Sequence, residues 1–193
     1  MFKVMLVDGN AERSNSLKDE LSAMDATDVI CVDSSKDLMG QVRQHAPDVI
    51  IIEMASPDRD TLESLRTVNR ETPKPVVFFA QHSDHETTEA AINAGVSAYI
   101  VDGLSASRLS SIMDVAIANF KAFQKLKIEL EDTKLRLQDR KDVDKAKGIL
   151  MQHRNLSEEE AYQLLRKMAM DRNMKIGDAS RNFVAAMSLL GDA

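Results

Sequence analysis

Four short apolar runs of this chain close on residues placed to do chemistry: Asp8-Gly9, Glu53, Ala80 and Asp102-Gly103. Carboxylates in such places could hold Mg²⁺ and accept a phosphoryl group. That transfer also needs a metal to neutralise the incoming charge and a cation to grip the phosphoryl oxygens. The run ending at Asp8 brings a single carboxylate, because Gly9 adds no ligand. Ala80 adds no polar group, and Asp102 would repel a phosphoryl group. These residues therefore predict no phosphoryl transfer and no catalysed reaction. His82 and His85 stand beside Asp84 and Glu86, but a loop setting without further ligands predicts no metal site and no cofactor. A different chemistry, polyanion binding, is suggested by the cations Arg140, Lys141, Lys145, Lys147, Arg166, Lys167, Arg172 and Lys175, with Arg181 beyond them.

The elements that must position these groups follow from periodicity. FKVMLVD, DVICVD, DVIIIEM, PVVFFAQ and SAYIVD are rich in β-branched or aromatic residues. Their near-continuous apolar character predicts parallel strands covered on both faces. Helical stretches lie between them. Asn10 precedes the first, Ser83 and Glu86 have capping-box spacing, and Ala94-Gly95 stops the fourth. Five βα units predict an α/β fold with a doubly wound five-stranded parallel sheet, whose crevice lies at the carboxyl ends of the strands.

From Leu104 to Lys147 there is neither glycine nor proline, which predicts one helix from an N-cap at Ser105 to about His153, roughly 70 Å long. Ile112, Ala116, Asn119, Phe123, Leu126, Leu130, Thr133 and Leu137 recur at spacings of three and four. That is the pattern of a short parallel coiled coil with its seam at Phe123, Leu126, Leu130 and Leu137. Ile128 and Leu135 form a second stripe. A homodimer is the expected state, and a helix folded back on its own sheet is the competing one.

Two further helices are predicted after the rod. Ser157 caps one, with Glu160 at the capping-box position, and the other follows Lys175 and Gly177. Val143, Ala146, Leu150, Ala161, Leu164, Leu165, Met168, Ala169, Ile176, Ala179, Phe183, Val184 and Met187 would form a small all-α core. Gly148 costs about 1 kcal/mol inside a helix. Its presence asks for the close approach of another helix or of an RNA backbone. Tyr162 has two readings as well, stacking on a loop base or packing against Leu165 and Ala169.

Charge divides the chain in the same way. Residues 1–120 hold 10 basic and 19 acidic side chains, net −9, whereas residues 140–181 hold 10 and 7, net +3. An acidic regulatory half joined to a nucleic-acid-facing half accounts for that, as do two differently solvated surfaces. No window of about 18 apolar residues exists, the start lacks a secretory pattern, and the one cysteine, Cys31, suits a reducing compartment. A cytoplasmic location is the expectation.

Two resemblances sharpen these readings. Residues 1–120 resemble the receiver domain of two-component response regulators. That family's pocket has two acidic residues after strand one, a phosphoacceptor Asp, a Ser/Thr and a Lys. The resemblance places Asp8 and Gly9, Glu53, Ala80 and Asp102 at those positions, so the domain is expected to be a pseudo-receiver. Glu53 then reads either as a permanent mimic of a phosphorylated Asp or as a solvated relic. By analogy with the fold, partners would dock on the face from Thr87 to Leu109.

The second resemblance covers Leu135 to Val184. Ala146, Lys147, Gly148, Leu150 and Met151, then Ser157, Glu160, Ala161 and Tyr162, then Ala179, resemble the ANTAR domain of the AmiR and NasR antiterminators. Val101–Leu104 and Ser56–Glu63 look most like the NasT branch. The expected organisation is a receiver-like domain at 1–120, a coiled-coil helix at 105–139 and an ANTAR domain at 140–193. The resemblance implies an RNA-binding antiterminator acting on hairpin leader RNA of nitrate or nitrite assimilation genes, held by a sensor of the NasS type. RNA contacts are expected from Arg140, Lys141, Lys145, Lys147, Tyr162, Arg166, Lys167, Arg172 and Lys175. The competing functions are a DNA-binding response regulator and a coiled-coil adaptor without nucleic acid. The start of the second helix, SEEE, argues against the first by repelling phosphates.

Overall fold

The computed structural model describes residues 2–10, 14, 18, 19, 21, 27–33, 37–101 and 106–191. Among them the elements run β1 (Phe2–Asp8), β2 (Thr27–Val32), α1 (Leu38–His45), β3 (Val49–Met54), α2 (Arg59–Glu71), β4 (Val76–Ala80), α3 (His85–Asn93), β5 (Ala98–Val101), α4 (Ala106–Arg154), α5 (Glu158–Asp171) and α6 (Ile176–Gly191). Ser14, Lys18, Asp19 and Leu21, between β1 and β2, are also helical. The chain forms two compact units, Met1–Gln124 and Lys125–Ala193.

In the first unit all five strands pair in parallel in the order β2-β1-β3-β4-β5. Alternate side chains leave the sheet on opposite faces, so each apolar run feeds two cores. Met5, Val7, Ile50, Ile52, Val76 and Phe78 pack with Leu38 and Val42 of α1, Leu65 and Val68 of α2, and Ala91 of α3. Val4, Leu6, Val49, Ile51, Val77 and Phe79 pack with Leu21 and with Leu109, Met113 and Ala116 of α4. Burial on both faces is why these runs show no polar alternation. Tyr99 of β5 stacks on Phe78, with ring centroids 5.3 Å apart.

Aspartates start α1, α2 and α3. Asp37, Asp58 and Asp84 each accept a backbone N–H of the first turn, from Met39, Thr61 and Thr87. The cap of α3 is thus Asp84 and not Ser83, whose hydroxyl lies 2.9 Å from that of Thr88. A charged oxygen one residue later is the stronger partner for the exposed N–H groups and the helix dipole. Gly95, at φ 104°, makes the left-handed turn into β5. The expected cap of α4 at Ser105 lies outside the described residues.

α4 is continuous over 49 residues. Its predicted stripe is divided between two uses. Ile112 and Ala116 belong to the sheet's own core, and the Asn119 amide donates to the Ser97 carbonyl at 3.5 Å. The exposed row therefore starts at Phe123. Phe123, Leu126, Leu130 and Leu137 are 54–63% exposed, and Ile128 and Leu135 slightly more. Ion pairs at i,i+4, Lys125–Glu129 and Asp132–Arg136, support this stretch.

The second unit packs the end of α4 against α5 and α6. Ala146, Leu150, Ala161 and Leu165 form its centre, with Val143, Leu156, Leu164, Ile176, Phe183 and Val184 around them. α5 carries the predicted capping box: Ser157 Oγ accepts the Glu160 N–H, and the Glu160 carboxylate accepts the Ser157 N–H. α6 starts at Ile176, two residues earlier than glycine-based punctuation suggests. Gly177 lies inside the helix, at a position where a Cβ would collide with the Asp139 side chain of α4. Asn155 and Asn173 turn the chain between helices in the left-handed region, which asparagine tolerates.

Candidate functional site

At the strand ends, Asp8 and Glu53 are neighbours in register on β1 and β3 and are 4% and 5% exposed. Both continue the sheet face of Leu6 and Ile51. Burial rules out the solvated-relic reading of Glu53. Ala80 is in register with Met54 and lies in the opposite core, so its Cβ leaves the other face of the sheet. Gly9 is exposed, and Asp102 lies outside the described residues. Asp8 accepts the Asn10 N–H at 2.9 Å, which commits one of its oxygens to the turn. A receiver's Mg²⁺ would need a further carboxylate where Gly9 stands, and no cluster of three His, Cys, Asp or Glu suited to a metal occurs among the described residues. These residues do not fit the ion.

In the second unit the cations fall into two groups. Lys147 is 16% exposed at its side chain, and its Nζ sits 2.8 Å from Asp144 and 2.7 Å from Glu158. Its bond to Asp144, then that to Glu158, holds its pKa above the ordinary lysine value, while Asp144 is correspondingly lowered by Lys147. Arg181 is similarly committed, to Asp142, Asp139 and Asp178 at 3.0 Å each, and its pKa rises for the same reason, with Asp142 the largest influence. The first clamp ties α4 to the start of α5, and the second ties α6 to α4. The other cations expected to meet RNA, Arg140, Lys141, Lys145, Arg166, Lys167, Arg172 and Lys175, are exposed.

A model of the response regulator receiver domain matches residues 4–114, and the ANTAR domain model matches residues 131–184. The chain belongs to the ANTAR-domain response regulators. Among its relatives is the transcriptional regulatory protein PdtaR of Mycobacterium tuberculosis, 30% identical over 66% of this chain and 62% of PdtaR, so the match spans less than two thirds of that protein. The nitrate regulatory protein of Klebsiella oxytoca is 39% identical over 34% of this chain and 17% of its own. A response regulator from Thermotoga maritima has 18% identity and a TM-score of 0.54 over 61% of this chain and 98% of its own. A CheY-like receiver from Methanospirillum hungatei has 15% identity and a TM-score of 0.55 over 63% and 98%. These structures speak for the fold of the first unit. No described helix is long and apolar enough to cross a membrane.

Within the ANTAR module, Tyr162 is 42% exposed, on the same flank of α5 as Arg166 and Met170, four and eight residues on. Its ring is open to a stacking partner, while Ala161, Leu165 and Ala169 fill the core side of the helix. Gly148 is exposed, and nothing lies within 4 Å of a Cβ built on it. The close helix approach within this chain is at Gly177 instead. Sequence reading missed Asp139 and Asp142 as a paired receptor for Arg181. Their i,i+3 spacing on the rod was the available signal, but nothing local shows that α6 returns to that point. Leu156, a loop residue that joins the core, was missed for the same reason.

Proposed function

We propose that this chain is an RNA-binding transcription antitermination regulator that catalyses no reaction. Two copies joined along α4 present paired ANTAR modules to tandem hairpins of a leader RNA, and their binding prevents a terminator from forming. The observation that carries this reading is the split among the cations. Lys147 and Arg181 are consumed by the fold, whereas Arg140, Lys141, Lys145, Arg166 and Lys167 are exposed and make no ion pair among the described residues. Exposed cations around an exposed aromatic suit phosphates and an unstacked loop base.

The resemblance to the NasT branch and the likeness to the Klebsiella nitrate regulatory protein support nitrate or nitrite assimilation genes as the targets. They also support a NasS-type sensor that holds the regulator through its receiver half until a small molecule releases it. Control by release instead of phosphorylation agrees with the strand-end chemistry. With Gly9, Ala80 and Asp102 in place of a metal ligand, a hydroxyl and a lysine, acetyl phosphate and Mg²⁺ are expected to add no phosphate mass to the intact protein. A shift of one phosphoryl group by mass spectrometry would restore phosphorylation control.

The test of the function itself is a competition. RNA of two tandem short-looped hairpins, selected on the protein from a pool with randomised loops, is set against duplex DNA of equal length. The expected result is preference for the hairpins, with log affinity falling by about 0.7–0.9 per neutralised phosphate as log salt rises. Equal or tighter binding of duplex DNA would return the chain to the DNA-binding response regulators. No binding of either in dilute buffer would leave a protein-only adaptor.

A further inference from the structure

Lys141, Lys145, Gly148 and Gln152 follow one another along α4 at intervals of four, three and four, so they share one helix face. All four are exposed. The opposite side of the same turns carries Ala146 and Leu150 into the module's core. A glycine on that buried side would be explained by packing, as Gly177 is by Asp139. Gly148 has no such explanation, because a methyl group added to it would meet only open space. The fold therefore gains nothing from the missing side chain and gives up helix stability for it.

Something outside the chain must come close there, and the charges around Gly148 say what kind of surface it has. Lys141 and Lys145 make no ion pair among the described residues, while the flanking Asp144 is turned into Lys147 and Arg140 adds positive charge nearby. The face is thus cationic, with its one carboxylate neutralised from within. A second α4 is a poor occupant, since the apolar seam ends at Leu137 and charged residues replace it at 141, 144 and 145.

We propose that the sugar–phosphate backbone of RNA lies directly on the α4 face centred on Gly148, between Lys141, Lys145 and Gln152, and that the absent side chain sets how closely it lies. The inference rests on the RNA-binding reading and specifies its contact surface. Lys147 thereby becomes a positioning residue, which keeps Asp144 and Glu158 from confronting the phosphates.

The experiment uses the full-length protein, its Gly148→Ala and Gly148→Gln variants, and the selected tandem-hairpin RNA. Thermal melting, sedimentation and RNA titration are read for each. For Gly148→Ala the melting midpoint is expected to rise by a few degrees, as alanine strengthens the helix. Hairpin affinity is expected to fall about tenfold, and further in Gly148→Gln, with the self-association constant unchanged. Wild-type affinity in both variants would overturn the proposal while leaving RNA binding intact. A weakened self-association constant would overturn it in favour of a second copy at this face. Wild-type protein that ignores every hairpin would remove the RNA-binding reading and this inference with it.

Discussion

Full-length protein in which Lys141, Lys145, Arg166 and Lys167 are all alanine is expected to lose tandem-hairpin affinity by about 100-fold or more at about 0.1 M salt, with its helicity unchanged. The four side chains are exposed and join no ion pair among the described residues, so removing them leaves both clamps and the apolar centre of the module untouched. Alanine is also the better helix former at every one of these positions. The loss should therefore be electrostatic and show as a shallower salt dependence, by about one unit of slope for each lost phosphate contact. Lys147→Ala makes the informative contrast. It should leave the salt slope nearly unchanged while loosening the junction of α4 and α5, because that ammonium already faces Asp144 and Glu158. A quadruple variant that binds within about threefold of wild type would place the RNA elsewhere.

That contrast also marks where the sequence stops being legible. The sheet was readable because its strands are short, β-branched and buried on both faces, and all five apolar runs became strands in one parallel sheet. The continuous α4 was readable because nothing in it breaks a helix. Ser157 and Glu160 announced the start of α5 through a local device of four residues. What could not be read is what depends on distant partners. Lys147 and Lys145 look alike in sequence, yet the side chain of one is committed to Glu158, eleven residues on, and that of the other is exposed with no ion pair among the described residues. Gly148 asked for a close approach, whereas Gly177 read only as the start of a helix. Which one has it depends on α6 packing beside Asp139, 38 residues before Gly177. At the strand ends, residue types settled the missing ligand at Gly9 and the missing hydroxyl at Ala80. The burial of Glu53 beside Asp8, and the placing of Ala80 on the other sheet face, required the strand register.

Leu130→Asp together with Leu137→Asp is expected to make the protein a monomer by sedimentation and to weaken tandem-hairpin binding by about 10²- to 10⁴-fold. Both leucines are more than half exposed, in one row with Phe123 and Leu126, and none of the four belongs to an apolar cluster of either unit. An apolar row left open on a helix this long calls for a partner. Repeats of three and four residues match the seam of a second α4. Carboxylates facing each other across that seam would repel in a dry interface, while in the monomer they point into water at little cost. The large factor comes from geometry. Once one module is bound, its twin meets the neighbouring hairpin at the effective concentration the rod imposes, and a monomer loses that second event. RNA with a single hairpin cannot benefit from pairing, so its affinity should stay within a few-fold of wild type. Equal loss on both RNAs would mean that α4 shapes each module instead of pairing two. Dimers that persist in the variant would move the contact between copies off this seam.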